Sequence, residues 1–157
     1  MAGNSRNKRI SGGVRKTVLS KTPILIRHTE EESRRMKALP YLSLASFRGE
    51  ILTVEKQPHG YDWRTLYFRA LSCLELATKH FNEESAVTVA NDALLILISV
   101  KDRRLENGLW RMSPYEIDAL HTCLLLVDQM QDLTTRKEQL IVWSKINPIV
   151  HKFDHLV

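Results

Sequence analysis

Apolar residues recur along most of this chain at offsets of three and four, the spacing of one face of an α-helix. Trp63, Leu66, Tyr67, Ala70, Leu71, Leu74 and Ala77 hold that spacing and predict a helix starting at Asp62. Phe81 closes the face, and Asn82-Glu83-Glu84 marks a break. Residues 84–106 predict the next helix. There Ala86, Val87, Val89, Ala90, Ala93, Leu94, Ile96, Leu97, Ile98 and Val100 leave little polar face. A helix apolar nearly all round is expected to be covered on several sides, so this segment reads as the central helix of a bundle. Asn107-Gly108 supplies its stop.

The next boundary is the sharpest. Ser113-Pro114-Tyr115-Glu116 combines an N-cap serine, a proline at the first helical position and a capping-box glutamate. Ile117, Leu120, Cys123, Leu124, Val127 and Met130 continue the stripe. Thr135 and Glu138 make a second capping box, followed by Leu140, Trp143, Ile146, Val150 and Phe153 on one face, with Pro148 predicting a kink or early stop. Upstream, Thr29 before Glu30-Glu31-Glu32 predicts a helix start. Met36, Leu39, Leu42, Leu44 and Phe47 form its face, and Pro40 should end or kink it. Residues 49–61, with Gly49, Pro58 and Gly60, read as a loop. The expected fold is all-α, a four- to five-helix bundle over residues 28–157, preceded by a basic N-terminal arm over residues 1–27.

Charge sharpens that division. The net charge is +5, yet seven of the 23 Lys/Arg (Arg6, Lys8, Arg9, Arg15, Lys16, Lys21 and Arg27) fall in residues 1–27, which hold no Asp or Glu. That leaves 16 basic against 18 acidic residues in the body, a net of −2. Residues 1–16 have almost nothing to bury and are expected to be flexible; Thr17–Ile26, interrupted by Pro23, reads as an extended segment. The arm has no apolar stretch of the kind a secretory signal needs. The run Ala93–Ile98 is far short of the roughly 20 apolar residues of a membrane span. The chain therefore reads as cytoplasmic, without membrane contact, and Cys73 and Cys123 as small buried hydrophobes rather than a bridge.

Signatures of catalysis are missing. The six glycines form no phosphate-cradling loop, and there is no Gly-x-Ser-x-Gly elbow, His-Glu-x-x-His motif or zinc-spaced cysteine pair. His151 and His155, with Asp154, could share a helix face as weak metal ligands, although a solvated surface explains them better. Asp118, His121 and Cys123 could form an acid–base pair beside a thiol, but Cys123 follows the apolar stripe and points elsewhere. No enzyme, metal or cofactor is expected. Trp63 and Trp143 fit core positions, whereas Trp110, in the loop Gly108–Met112, fits a loop anchor or a partner contact equally well.

Asp62-Trp63, Lys101-Asp102-Arg103-Arg104, Trp110-Arg111-Met112-Ser113 with Glu116, and Leu126-Val127-Asp128-Gln129-Met130-Gln131 leading to Thr135-Arg136 carry a resemblance. From Asp62 to about Ile141 the chain resembles a loose group of small helical accessory proteins of proteobacterial phages, plasmids and integrated elements. The resemblance implies a regulator acting on a host or element-encoded macromolecule, for example by inhibiting a host nucleoprotein complex; it brings no active site. The binding candidates are Arg6, Lys8, Arg9, Arg15, Lys16 and Lys21 of the arm, with Arg103, Arg104, Trp110 and Arg111 of the body. A protein partner is the leading expectation, with a homodimer as one form of it. The alternative is nucleic acid held through the arm by release of counterions. The turn from Glu106 to Ser113 is too long for a helix-turn-helix, which argues against sequence reading by the body.

Overall fold

A computed structural model describes residues 31, 34, 35, 37–48 and 57–156. The compact unit is Lys37–Val157. Within residues 1–36 the described positions 31, 34 and 35 are helical, and the arm cations and the extended segment at 17–26 lie outside the described residues, as do the Thr29 helix start and residues 49–56 of the expected loop.

The described residues contain no strand and form five helices. They are α1 (37–48), α2 (Gly60–Lys79), α3 (Glu84–Asn107), α4 (Pro114–Asp132) and α5 (Arg136–His151), followed by a short 3-10 turn at Asp154–Leu156. None of the described helices is long and apolar enough to cross a membrane.

Local chemistry sets the boundaries. Ser113 Oγ accepts from Glu116 N, and Glu116 Oε1 accepts from Ser113 N at 2.8 Å, closing the capping box ahead of α4. Thr135 and Glu138 do the same ahead of α5. Helix α2 starts two residues before the expected Asp62, which sits in the first turn and accepts from His59 N at 2.9 Å. Helix α3 ends at Gly108, whose φ of 76° and N–H bond to Arg104 O at 2.8 Å make a left-handed cap. Neither proline stops its helix. Residues on both sides of the buried Pro40 are helical, and α5 runs through Pro148 to His151.

The central helix is α2, not α3. Helix α2 packs on α3, α4 and α5, whereas α3 packs on α2 and α4. The smallest side chains of α3, Ala86, Ala90 and Ala93, are buried with Leu97 and Val100, so close approach consumes only a narrow stripe. Leu95 at 63 % exposure, Ile98 at 39 % and Leu105 at 65 % face outward. High apolar content therefore misled about burial: hydrophobic residues on one face do not require cover if alanines make the contact on the other. Leu140, expected on the inner face of α5, is also exposed; Val142 takes the buried register with Ile146 and Val150.

One end of the core is aromatic. Trp63, fully buried, donates Nε1–H to Leu97 O at 2.7 Å, stacks on Tyr67 at 4.8 Å and meets Phe153 edge-on at 5.1 Å. Along the bundle from it lies a polar knot. Arg69, 2 % exposed, donates to Asp128 Oδ1 at 2.6 Å and Gln131 Oε1 at 2.5 Å, and Tyr41 Oη–H donates to Asp128 Oδ2 at 2.9 Å. These bonds tie α1 and α2 to α4. Asp128 and burial together push the Tyr41 hydroxyl up to about 12, with burial the larger cause. Beside the knot, Cys73 of α2 and Cys123 of α4 are both fully buried and unbridged, with each thiol in the other's surroundings, an arrangement in which one can donate to the other. The neighbouring Cys73 thiol and burial together raise the Cys123 thiol well above its usual range.

Candidate anion-binding cleft

The loop between α3 and α4 is short of regular structure but held at several points. Gly108 turns the chain out of α3. Arg103, in the last turns of that helix, donates Nη2–H to Glu116 Oε1 at 2.6 Å and Nη1–H to Glu116 Oε2 at 3.0 Å, and Nη2 also reaches Arg111 O at 3.0 Å. Burial alone would raise the Glu116 carboxyl. The bonds from Arg103 and from Ser113 outweigh it and hold that carboxyl below the usual carboxylate range. Glu116 thus serves the capping box and the arginine together, and the loop is pinned at its exit and at Arg111.

Between these pins the loop presents Trp110. Its ring packs on Trp63, centroids 6.2 Å apart and planes at 29°, and the Arg104 guanidinium lies over it at 5.6 Å. Trp110 is half-buried and lines a cleft of about 760 Å³ at the end of the bundle where α1 and α3 finish and α2 begins. The two alternatives for this tryptophan are combined: it anchors the loop and remains part of a wall.

The cleft is cationic. Arg48, Arg104 and Arg111 supply its charge, His59 lines it beside them, and among the described residues its lining holds no Asp or Glu. Among the described residues the Arg104 and Arg111 side chains have no carboxylate or carbonyl acceptor; Arg104 has only its contact with the indole. The N-terminus of α2 contributes about +0.5 at the cleft and the last turns of α1 and α3 about −0.5 each, so the helix ends supply no net positive charge. The arginines therefore decide its sign. Two bidentate-capable guanidinium groups without an oxygen acceptor among the described residues are suited to carboxylate or phosphate.

Of the four body residues expected from sequence to bind, Arg104, Trp110 and Arg111 meet in this cleft. Arg103 stands apart from that lining, engaged with Glu116 and the loop backbone. The arm candidates Arg6, Lys8, Arg9, Arg15, Lys16 and Lys21 lie outside the described residues. Arg48 and His59 were not expected; they reach the cleft from α1 and from the approach to α2, more than 40 positions from Trp110 in sequence, so no local spacing signals them. Arg69 did carry a signal. It lies three residues after Leu66 and four before Cys73, both buried, which places a charge on the inner face of α2.

The weaker candidates are dispersed. Cys123 turns into the core onto Cys73, His121 meets the Tyr41 ring edge-on at 5.9 Å, and Asp118 is exposed. His151 Nδ1 lies 2.9 Å from Asp154 Oδ2, and the same carboxylate pairs with Arg64. Among the described residues no group of three His, Cys, Asp or Glu side chains could hold a metal ion. Comparison with protein-family models, curated proteins and solved structures gives no match to this chain.

Proposed function

We propose that this chain is a non-enzymatic interaction protein, of the kind that regulates on behalf of a mobile element, and that it holds an anionic macromolecular partner at the Arg104–Trp110–Arg111 cleft. The supporting observation is the described lining itself: it brings Arg104 and Arg111 together, neither guanidinium has a carboxylate or carbonyl acceptor among the described residues, and no described lining residue is acidic. A site for chemistry would need a nucleophile beside an acid–base group; of the candidates in the described lining, the Ser46 hydroxyl donates to Leu42 O at 3.3 Å and His59 sits at the N-cap of α2. Recognition rather than turnover is what such a wall provides.

The test is fluorescence anisotropy of labelled polyglutamate and labelled oligo-thymidylate with the full chain and with its Arg104→Gln/Arg111→Gln variant. Loss of two charge-assisted contacts predicts affinity weaker by about 100-fold for the probe that uses the cleft, each contact being worth about 1.5 kcal/mol. Unchanged affinity for both probes would refute the cleft as the binding site.

A second reading is nucleic-acid binding through the arm, favoured by seven Lys/Arg and no acid in residues 1–27. It predicts steep salt dependence for oligo-thymidylate that is lost when Arg6, Lys8, Arg9, Arg15, Lys16 and Lys21 are all changed to glutamine in the full chain.

A further inference from the structure

We infer that the occupant of the cleft is a protein segment carrying carboxylates on either side of an apolar side chain. This rests on the cleft being an anion site and names what fills it. The lining is not uniformly polar. Phe47, Leu109, Met112 and Leu156 interleave with the arginines, and Leu109 is 51 % exposed between Arg104 and Arg111 in the chain. A phosphodiester strand offers charge at every step and only its bases as apolar surface, so it would need an aromatic face on which to stack. Trp110 already meets Trp63 and has the Arg104 guanidinium over its ring, and Trp63 itself is fully buried.

Charge at longer range points the same way. The net of −2 over residues 28–157 gives a long polyanion no general attraction from the body beyond the cleft, leaving only residues 1–27 to draw it, whereas a short acidic segment needs only the cleft. The volume of about 760 Å³ suits a few side chains entering a pocket. Arg104, held over the indole at 5.6 Å, has little freedom left to lose, and its planar fork matches one carboxylate bidentately. Arg111 takes a second carboxylate, and Leu109 with the half-buried Met112 covers the apolar side chain between them.

The experiment uses the full chain and three labelled probes of equal charge: a short peptide in which glutamate pairs flank leucines, the same peptide with glycine for leucine, and oligo-thymidylate. The leucine peptide should bind about ten-fold more tightly than either of the others, the worth of one covered aliphatic contact. Leu109→Ser, at an exposed position, should remove that preference and leave the glycine peptide unaffected. Arg104→Gln/Arg111→Gln should weaken both peptides, with circular dichroism confirming that each variant is folded. Equal affinity for the two peptides, or tighter binding of oligo-thymidylate through the same arginines, overturns the peptide occupant while leaving an anion site. If neither peptide responds to the arginine changes, the occupant and the anion site fall together.

Discussion

The buried arginine of α2 makes the most quantitative demand on this structure. In Arg69→Met the aliphatic stem is largely replaced, so the cavity left is small and the loss is chiefly electrostatic. Removing one member of a buried ion pair costs about 3–5 kcal/mol when the remaining charge is wholly uncompensated. Asp128 is not in that position: its side chain is 21 % exposed and it keeps the Tyr41 hydroxyl at 2.9 Å. The variant also discards Arg69 Nε, which is buried without a hydrogen-bond partner among the described residues and is a cost to the native state of about 1 kcal/mol. The expected net destabilisation is about 2–3 kcal/mol, a fall in Tm of about 5–10 °C for a chain of this size.

Urea unfolding followed at 222 nm measures this directly, provided the slope with denaturant is unchanged. The Arg69→Met/Asp128→Leu double variant sharpens it, because replacing both members of a buried pair by apolar groups is often close to neutral. It should therefore be more stable than the sum of the two single losses by at least about 1 kcal/mol. A single-variant loss below about 0.5 kcal/mol would place Arg69 outside the load-carrying contacts, since surface changes produce effects that small. Additive losses in the double variant would show that the two groups do not act as a pair.

Other consequences are simpler to state. The Tyr41 hydroxyl is raised to about 12 from an ordinary 10.0, so its contribution is fully present below pH 10 and is lost as pH rises through 12; Tyr41→Phe should flatten the fall of stability with pH over that window in alkaline urea titrations. Glu116 has the opposite sign, with a folded-state value below the ordinary 4.5, so its contribution is present above pH 4.5 and is lost as pH falls through that lowered value. Glu116→Gln should cost about 1–2 kcal/mol at pH 7, and in acid melts the difference from wild type should shrink below pH 4.5. At Gly108 a Cβ would meet nothing within 4 Å, so Gly108→Ala pays only for its φ of 76°, about 1 kcal/mol by thermal unfolding, with Gly108→Asn closer to wild type.

The helices were legible because each is bounded by local chemistry. Ser113-Pro114-Tyr115-Glu116 and Thr135 with Glu138 specify their ends with residues three apart, and Gly108 specifies a stop by itself. The inner face of α4 could be read residue by residue, since Ile117, Leu120, Cys123, Leu124, Val127 and Met130 are all buried. Rank within the bundle was not legible. The stripe of α2 contains Trp63, Leu66 and Tyr67 and packs on α3, α4 and α5, while among α2–α5 the richer apolar run of α3 packs chiefly on α2 and α4 and leaves Leu95 and Leu105 in solvent. Periodicity reports which residues share a face; it does not report how many helices that face meets. For the same reason Arg48 and His59 could not be assigned to the cleft, nor Cys73 placed beside Cys123, because those meetings depend on helix packing across more than 40 residues of intervening chain.

Arg103 and Arg104 show how the same residue type acquires two roles from helix geometry alone. Neighbours on an α-helix point about 100° apart, so two consecutive arginines at the end of α3 cannot share one environment. Arg103 turns toward α4, where Glu116 offers both carboxylate oxygens and Arg111 a carbonyl. Arg104 turns toward the loop that this pairing has fixed and lies on Trp110. The first arginine is spent holding the loop; the second is displayed by it. Because Glu116 also caps α4 through Ser113, the position of Trp110 is linked to the start of that helix and through Trp63 to the aromatic end of the core. A wall assembled this way is preorganised, so little side-chain ordering is left to oppose binding, and Arg104 and Arg111, which have no carboxylate acceptor among the described residues, are placed to meet the proposed anion directly.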